Sequence, residues 1–188
     1  MRLLTIFRTG ILVTGCCLGL SAATTLTECP ANTVAGSAYT GCNFAIIANS
    51  NGTFTTLVDT TQPFFGGEDN YAGFLNNTSH TISSVNINGQ GTAIFGFDGD
   101  GPALFPGTTG YEGPDNTFGN ISTDLTIGTV FFTTPIAPGA STYFFLEEAI
   151  NPTTPPIAGS PEPASVALLG SGILGIGLAA IRRRRAAK

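Results

Sequence analysis

Turn-forming residues break residues 24–160 at short intervals, and that leaves no room for a long helix. Clusters of Asn, Gly, Pro and Ser separate short runs rich in Thr, Val, Ile, Phe and Tyr, residue types that suit a pleated, half-buried surface. Residues 44–48 form a short apolar run, and residues 53–58 alternate in part. Between them Asn49-Ser50-Asn51-Gly52 accepts positive φ, so the two runs read as a hairpin. Residues 71–75 make the next strand. Residues 81–87 alternate with one slip, setting Ile82, Val85 and Ile87 against polar neighbours, and Asn88-Gly89 turns into a strand over 92–97. A Gly/Pro-rich loop covers 98 to about 119. Residues 125–132 and 141–146 complete the set, joined through 135–140. The pattern predicts an all-β fold, an antiparallel β-sandwich of about seven strands.

Charge is distributed unevenly. All 12 acids lie between Glu28 and Glu162, whereas no lysine or arginine occurs between Arg8 and Arg182, so the net charge of −5 understates how acidic the middle is. Such a body has no cationic groups with which to grip phosphates, which excludes nucleic acid as a partner. It attracts divalent cations and stays soluble through self-repulsion. Of four cysteines, Cys16 and Cys17 lie near the N-terminus, leaving Cys29 and Cys42 as an even pair. Joined, they close a small loop whose bridge contributes about 3 kcal/mol. With one histidine, His80, and no further cysteine, the body lacks a zinc ligand set.

Both ends carry targeting features. Arg2 and Arg8 precede an apolar stretch over 10–20, and Ser21-Ala22-Ala23 offers small residues for cleavage before Thr24, so residues 1–23 read as a secretory signal peptide. Val13-Thr14-Gly15-Cys16 is the competing reading, a lipobox that would lipidate Cys16. At the other end, residues 164–181 contain no charge and span roughly 27 Å as a helix, enough for a thin hydrocarbon core. Pro163 suits the first helical position. Arg182, Arg183, Arg184 and Arg185 then form a basic stop that stays cytoplasmic and leaves the body outside. Ser171, Gly175 and Ala179 share a helix face small enough for helix pairing; the plainer reading is a weakly hydrophobic anchor. Residues 24–150 are the expected domain, and the Pro/Thr-rich residues 151–160 a stiff linker.

The order Pro161-Glu162-Pro163, apolar helix and arginine cluster resembles the PEP-CTERM sorting signal, over residues 160–188. The same tail is also called an ice-binding-protein C-terminal domain, a name that carries no implication of ice binding here. The resemblance implies export, anchorage in the membrane through the C-terminal helix, and recognition by an exosortase that cuts near the Pro-Glu-Pro motif. It also implies a setting of exopolysaccharide production. Residues 95–101, 110–114 and 143–147 resemble patches in other PEP-CTERM bodies, which supports a discrete domain type and supplies no activity.

Within the body the sharpest constellation is Asp98-Gly99-Asp100-Gly101. Two carboxylates separated by glycine can turn toward one point, as hard Ca²⁺ prefers, although Thr109 stands where an EF-hand would need its acidic twelfth residue. Glu112, Asp115, Glu68 and Asp69 are further acids near enough in a folded chain to join. An ordinary Asp-Gly turn is the competing reading. His80 has no nucleophile motif beside it. Glu147 and Glu148 would point to opposite faces of a strand and so cannot flank one sugar bond. Tyr39, Tyr71, Tyr111 and Tyr143 either stack on sugar rings or pack internally. The expectation is therefore a non-enzymatic surface or extracellular-matrix protein associated with exopolysaccharide; the alternative is a carbohydrate-binding module assisted by Ca²⁺.

Overall fold

A computed structural model describes residues 26–34 and 37–159, and these contain ten strands and no helix. In chain order they are β1 (Asn32–Val34), β2 (Ser37–Tyr39), β3 (Phe44–Ala48), β4 (Phe54–Val58), β5 (Asn70–Asn76), β6 (Ile82–Asn88), β7 (Asn116–Gly119), β8 (Ile127–Ile136), β9 (Ser141–Leu146) and β10 (Ile157–Gly159). β1 and β2 form a hairpin. The rest make two four-stranded sheets, ordered β4-β3-β5-β9 and β10-β6-β8-β7. The signal peptide over 1–23, the helix over 164–181 and the sorting motif fall outside the described residues. Among the described residues no helix is long and apolar enough to cross a membrane.

The pleat sorts the side chains into two cores. Phe44, Ile46 and Ala48 of β3, Ala72 and Phe74 of β5, and Phe144 and Leu146 of β9 meet Val85 and Ile87 of β6 and Val130 and Phe132 of β8 between the sheets. The other face of β3, β5 and β9 is also covered. Ala45, Tyr71 and Phe145 lie there beneath Leu26, Cys29, Tyr39, Cys42, Phe65 and Tyr111. Tyr71 stacks on Phe145 at 4.6 Å between ring centroids, and Tyr39 meets Tyr71 edge-on at 5.2 Å. This double burial explains why β3 and β9 read as nearly continuous apolar runs while β6 alternates. Cys29 and Cys42 are bonded to each other, with Cα atoms 5.1 Å apart. The bridge lies on Gly73, where a Cβ would come 2.6 Å from Cys42 Sγ.

Several local expectations hold. The 44–58 hairpin turns at Gly52 with φ of 83°. β9 keeps its expected limits, and the slip in β6 is a register shift between Ile82 and Ser84. Others are corrected. The sandwich is not wholly antiparallel, because β3 and β5 pair in parallel. The crossover between β4 and β5 is fastened by buried Asn43. Its side-chain amide donates to the carbonyls of Gln62 and Pro63, and its Oδ1 accepts from the Tyr71 amide at 2.6 Å. Residues 92–97 are not a strand. Ile94 and Phe95 both enter the core, which strand alternation forbids. Their backbone bonds go to different partners: the Phe95 amide donates to Leu125, and the Ile94 carbonyl accepts from Glu147. β7, by contrast, lies where a loop was expected. The stretch read as a linker ends in sheet structure, since β10 pairs with β6 from Ile157 to Gly159.

Candidate functional site

One end of the doubly covered sheet gathers carboxylates from three distant segments. Asp69 closes a tight turn with Phe65, whose amide and carbonyl both bond to Asp69 backbone; Gly66 and Gly67 supply the positive φ values the turn requires. This places Asp69 just before β5, with 1% of its surface exposed. Glu147 follows β9 directly and is also buried. The end of β9 is held by Asn70, whose side-chain amide donates to the carbonyls of Leu146, Glu147 and Glu148 and whose Oδ1 accepts from the Ile150 amide. Asp98 and Asp100 enter from the long β6–β7 loop, where the Asp100 amide donates to Asp98 Oδ1 at 3.1 Å.

One oxygen each from Asp69, Asp100 and Glu147 lie within 4.8 Å of one another. Tyr111 stands among them. Its hydroxyl donates to Glu147 Oε2 and lies 3.0 Å from Asp100 Oδ1 and 3.3 Å from Asp98 Oδ1. A phenol has one proton to give, so it satisfies one of these three carboxylates at a time. No donor reaches buried Oδ1 of Asp69.

The electrostatics follow. Burial, then the charge of Glu147, push the Asp69 carboxyl up to about 8. Hydrogen bonding with Asp98 is the main cause holding Asp100 above the ordinary carboxylate range, while the Asp100 amide holds Asp98 below it. Burial, followed by repulsion from Glu147, Glu148, Asp100 and Asp98, raises Glu68 as well. Burial drives Tyr111 far upward, helped by Glu147 and Asp100, so it stays a donor. The folded chain therefore keeps a proton on Asp69 that the unfolded chain releases above about pH 4. The stability this group contributes should be greatest on the acid side and fall as pH rises from about 4 to about 8, where the folded carboxyl also ionises. Melting temperature followed across that range checks this; Asp69→Asn should flatten the decline, and an equal slope in the variant would contradict it.

Of the residues singled out from sequence, Asp98 and Asp100 both reach the Tyr111 hydroxyl, and Asp100 joins Asp69 and Glu147. Glu112 does not join. It is buried in its own loop, where its carboxylate accepts from the Thr108, Thr109 and Gly110 amides and both threonine hydroxyls. Burial alone would raise its pKa, yet these donors hold it below the ordinary range. Asp115 is exposed and accepts from the Thr134 hydroxyl instead. Tyr39, Tyr71 and Tyr111 are buried and Tyr143 is half-buried; their rings pack internally, and the Tyr111 hydroxyl also reaches the clustered acids. His80 lines a separate cavity of about 260 Å³ with Asn49, Thr53 and Ser84. Further cavities of about 310 and 140 Å³ lie beside β8 and beside Phe64, and no acid of the cluster lines any of the three. Sequence reasoning missed Asp69 as a principal member and Glu147 altogether. The signal for Glu147 was its position directly after a strand buried on both faces.

A disulfide-closed all-β body with such an acidic cluster defines a fold and leaves the class of protein to the tail. Residues 161–185 match the family model of the PEP-CTERM protein-sorting motif. The chain therefore carries the kind of signal that marks substrates of exosortase processing, and it is an exported protein sorted through its C-terminus. Neither the curated proteins nor the solved structures yielded a match to the chain.

Proposed function

We propose that this protein is a non-enzymatic component of the cell surface or extracellular matrix, working in association with exopolysaccharide. The observation that carries this reading is the sorting motif over 161–185, joined to a disulfide-closed β body. The body suits a passive extracellular role. Its bridge survives oxidising surroundings, and its cationic side chains apart from His80 are confined to the two ends. Among the described residues, the clustered acids line none of the three cavities described above, and no pair of carboxylates faces one of them. A carbohydrate-binding role is the second reading. It is favoured by the cavity beside His80, whose Asn49, Thr53, Thr78, Thr81 and Ser84 offer neutral hydrogen-bonding groups of the kind sugars engage.

The test is fractionation of producing cells with intact-mass measurement of the recovered protein. The mature form should lack residues 1–23 and the segment after Pro161-Glu162-Pro163, and it should co-purify with matrix polysaccharide. Loss of polysaccharide production should release it. Recovery of the full tail from a host with an active exosortase would refute the processing, and indifference of its location to polysaccharide would refute the matrix role. Binding of the purified protein to defined glycans would select the second reading.

A further inference from the structure

We propose that Asp69, Asp100 and Glu147 form a binding site for a divalent cation of the calcium class, which fastens the long β6–β7 loop to the sheet beneath it. Three observations support this independently of the acids merely being close. First, Oδ1 of Asp69 is buried without a donor, in a residue 1% exposed and placed in the cluster by a closed turn. A buried carboxylate oxygen left so is costly unless a proton or a cation meets it. Second, the Tyr111 hydroxyl stands within hydrogen-bonding distance of Glu147, Asp100 and Asp98, and its single proton leaves the other contacts as facing lone pairs. Third, no side chain of the body can supply the missing charge. Lysine and arginine are absent between Arg8 and Arg182, and His80 lies in another cavity.

The ligand chemistry selects the ion. One oxygen from each of the three carboxylates lies within 4.8 Å of the others, close enough to share one ion. The donors are all oxygen, with neither His nor Cys, which favours a hard cation over zinc or copper. Three carboxylates with remaining positions open to water suit the weak sites of extracellular modules, with dissociation constants of about 10⁻⁴–10⁻³ M. Asp98 serves as a positioning residue. It accepts the Asp100 amide and so turns the Asp98-Gly99-Asp100 segment toward the cluster. The ion would tie together the turn before β5, the loop over 98–115 and the end of β9.

Terbium and calcium titrations of the full chain test the site. The chain contains no tryptophan, so terbium emission excited in the phenol absorption band must come from tyrosine, and Tyr111 is at the site. Tb³⁺ should give saturable, tyrosine-sensitised emission that Ca²⁺ displaces, and Ca²⁺ should raise the melting temperature. Asp69→Asn with Glu147→Gln should weaken Ca²⁺ binding by about 100-fold or more, since losing even an outer-shell partner costs up to that much. The double variant should still melt cooperatively, because both replacements preserve shape. Exposed Asp100→Asn is the second variant, expected to weaken binding without touching the core. Asp124→Asn, an exposed acid in the β7–β8 loop, should bind as the parent does. Absent emission, or Ca²⁺ affinity unchanged in the Asp69/Glu147 and Asp100 variants, would overturn the proposal. Equal weakening by Asp124→Asn would also overturn it, by showing diffuse attraction to an acidic body.

Discussion

Phe144→Ala is expected to remove about 4 kcal/mol of folding stability, within the range for deleting a buried aromatic ring. Phe144 is fully buried in the middle of β9, faces the inter-sheet core and pairs with Ala72 of β5 across the ladder. It also meets Phe118 of β7 edge-on at 6.1 Å, so one ring bridges both sheets. Truncation leaves a cavity that the sheets cannot close without breaking their registers. Domains of this size hold about 5–15 kcal/mol in total, so the loss is a large share of the reserve. Urea unfolding should show a markedly lower midpoint with an unchanged slope. Leu57→Ala is the control. Leu57 is 39% exposed on edge strand β4, and its loss should stay near 0.5 kcal/mol. Equal shifts for the two variants would contradict the assignment of Phe144 to the shared core.

Phe144 also shows what the sequence could convey. Its neighbours Tyr143, Phe145 and Leu146 form an apolar run, and that run already identified β9 with the limits the structure has. It did not reveal that the two faces of β9 belong to different cores, because the cover over Phe145 comes from Tyr39, Phe65 and Tyr111, far away in sequence. Local chemistry was likewise enough for the β3–β4 hairpin, where Asn51-Gly52 demands a turn. It failed at residues 92–97, whose apolar residues suit a strand but whose backbone bonds are divided between Leu125 and Glu147. It failed again at β7, where Asn116, Thr117 and Gly119 look like turn residues until β8 supplies a ladder.

The candidate site divides in the same way. Asp100 was legible because Asp-Gly-Asp-Gly is a local pattern. Asp69 and Glu147 meet it only because β5 and β9 are adjacent strands in antiparallel pairing, with Asn70 opposite Leu146. That register sets the residue before β5 beside the residue after β9. Glu147 and Glu148 read as neighbours on opposite faces of a strand, yet both lie just past the end of β9. Only Glu148, which adopts φ of 58° as the chain leaves the strand, is exposed.

Replacing both bridged cysteines, Cys29→Ser with Cys42→Ser, should cost about 3 kcal/mol from the lost constraint on the unfolded chain. A further, local loss should follow from the cover it secures. Leu26, Cys29, Tyr39 and Cys42 lie on the outer face of β3, β5 and β9, and short strands β1 and β2 give that segment little structure of its own. Besides the bridge, the segment is held by the Cys42 amide donating to Leu26, the Tyr71 hydroxyl donating to Pro30, Gln62 bonded to Thr40, and the Tyr39 ring packed edge-on against Tyr71 and Phe145. The reduced chain should therefore open over 26–42 before the sandwich unfolds. Hydrogen exchange should show protection lost first at the Cys42 amide and later in β6 and β8, whose core lies between the sheets. Gly73→Ala tests the same contact from beneath, since its Cβ would meet Cys42 Sγ at 2.6 Å and Glu28 Cβ at 2.7 Å. It should lift the bridged segment while leaving the inter-sheet core intact. If the serine variant unfolds at the parental midpoint, the bridge contributes nothing to the fold. If β6 and β8 lose protection together with 26–42, the two cores form one cooperative unit, and the N-terminal cover is as integral to the fold as the sheets.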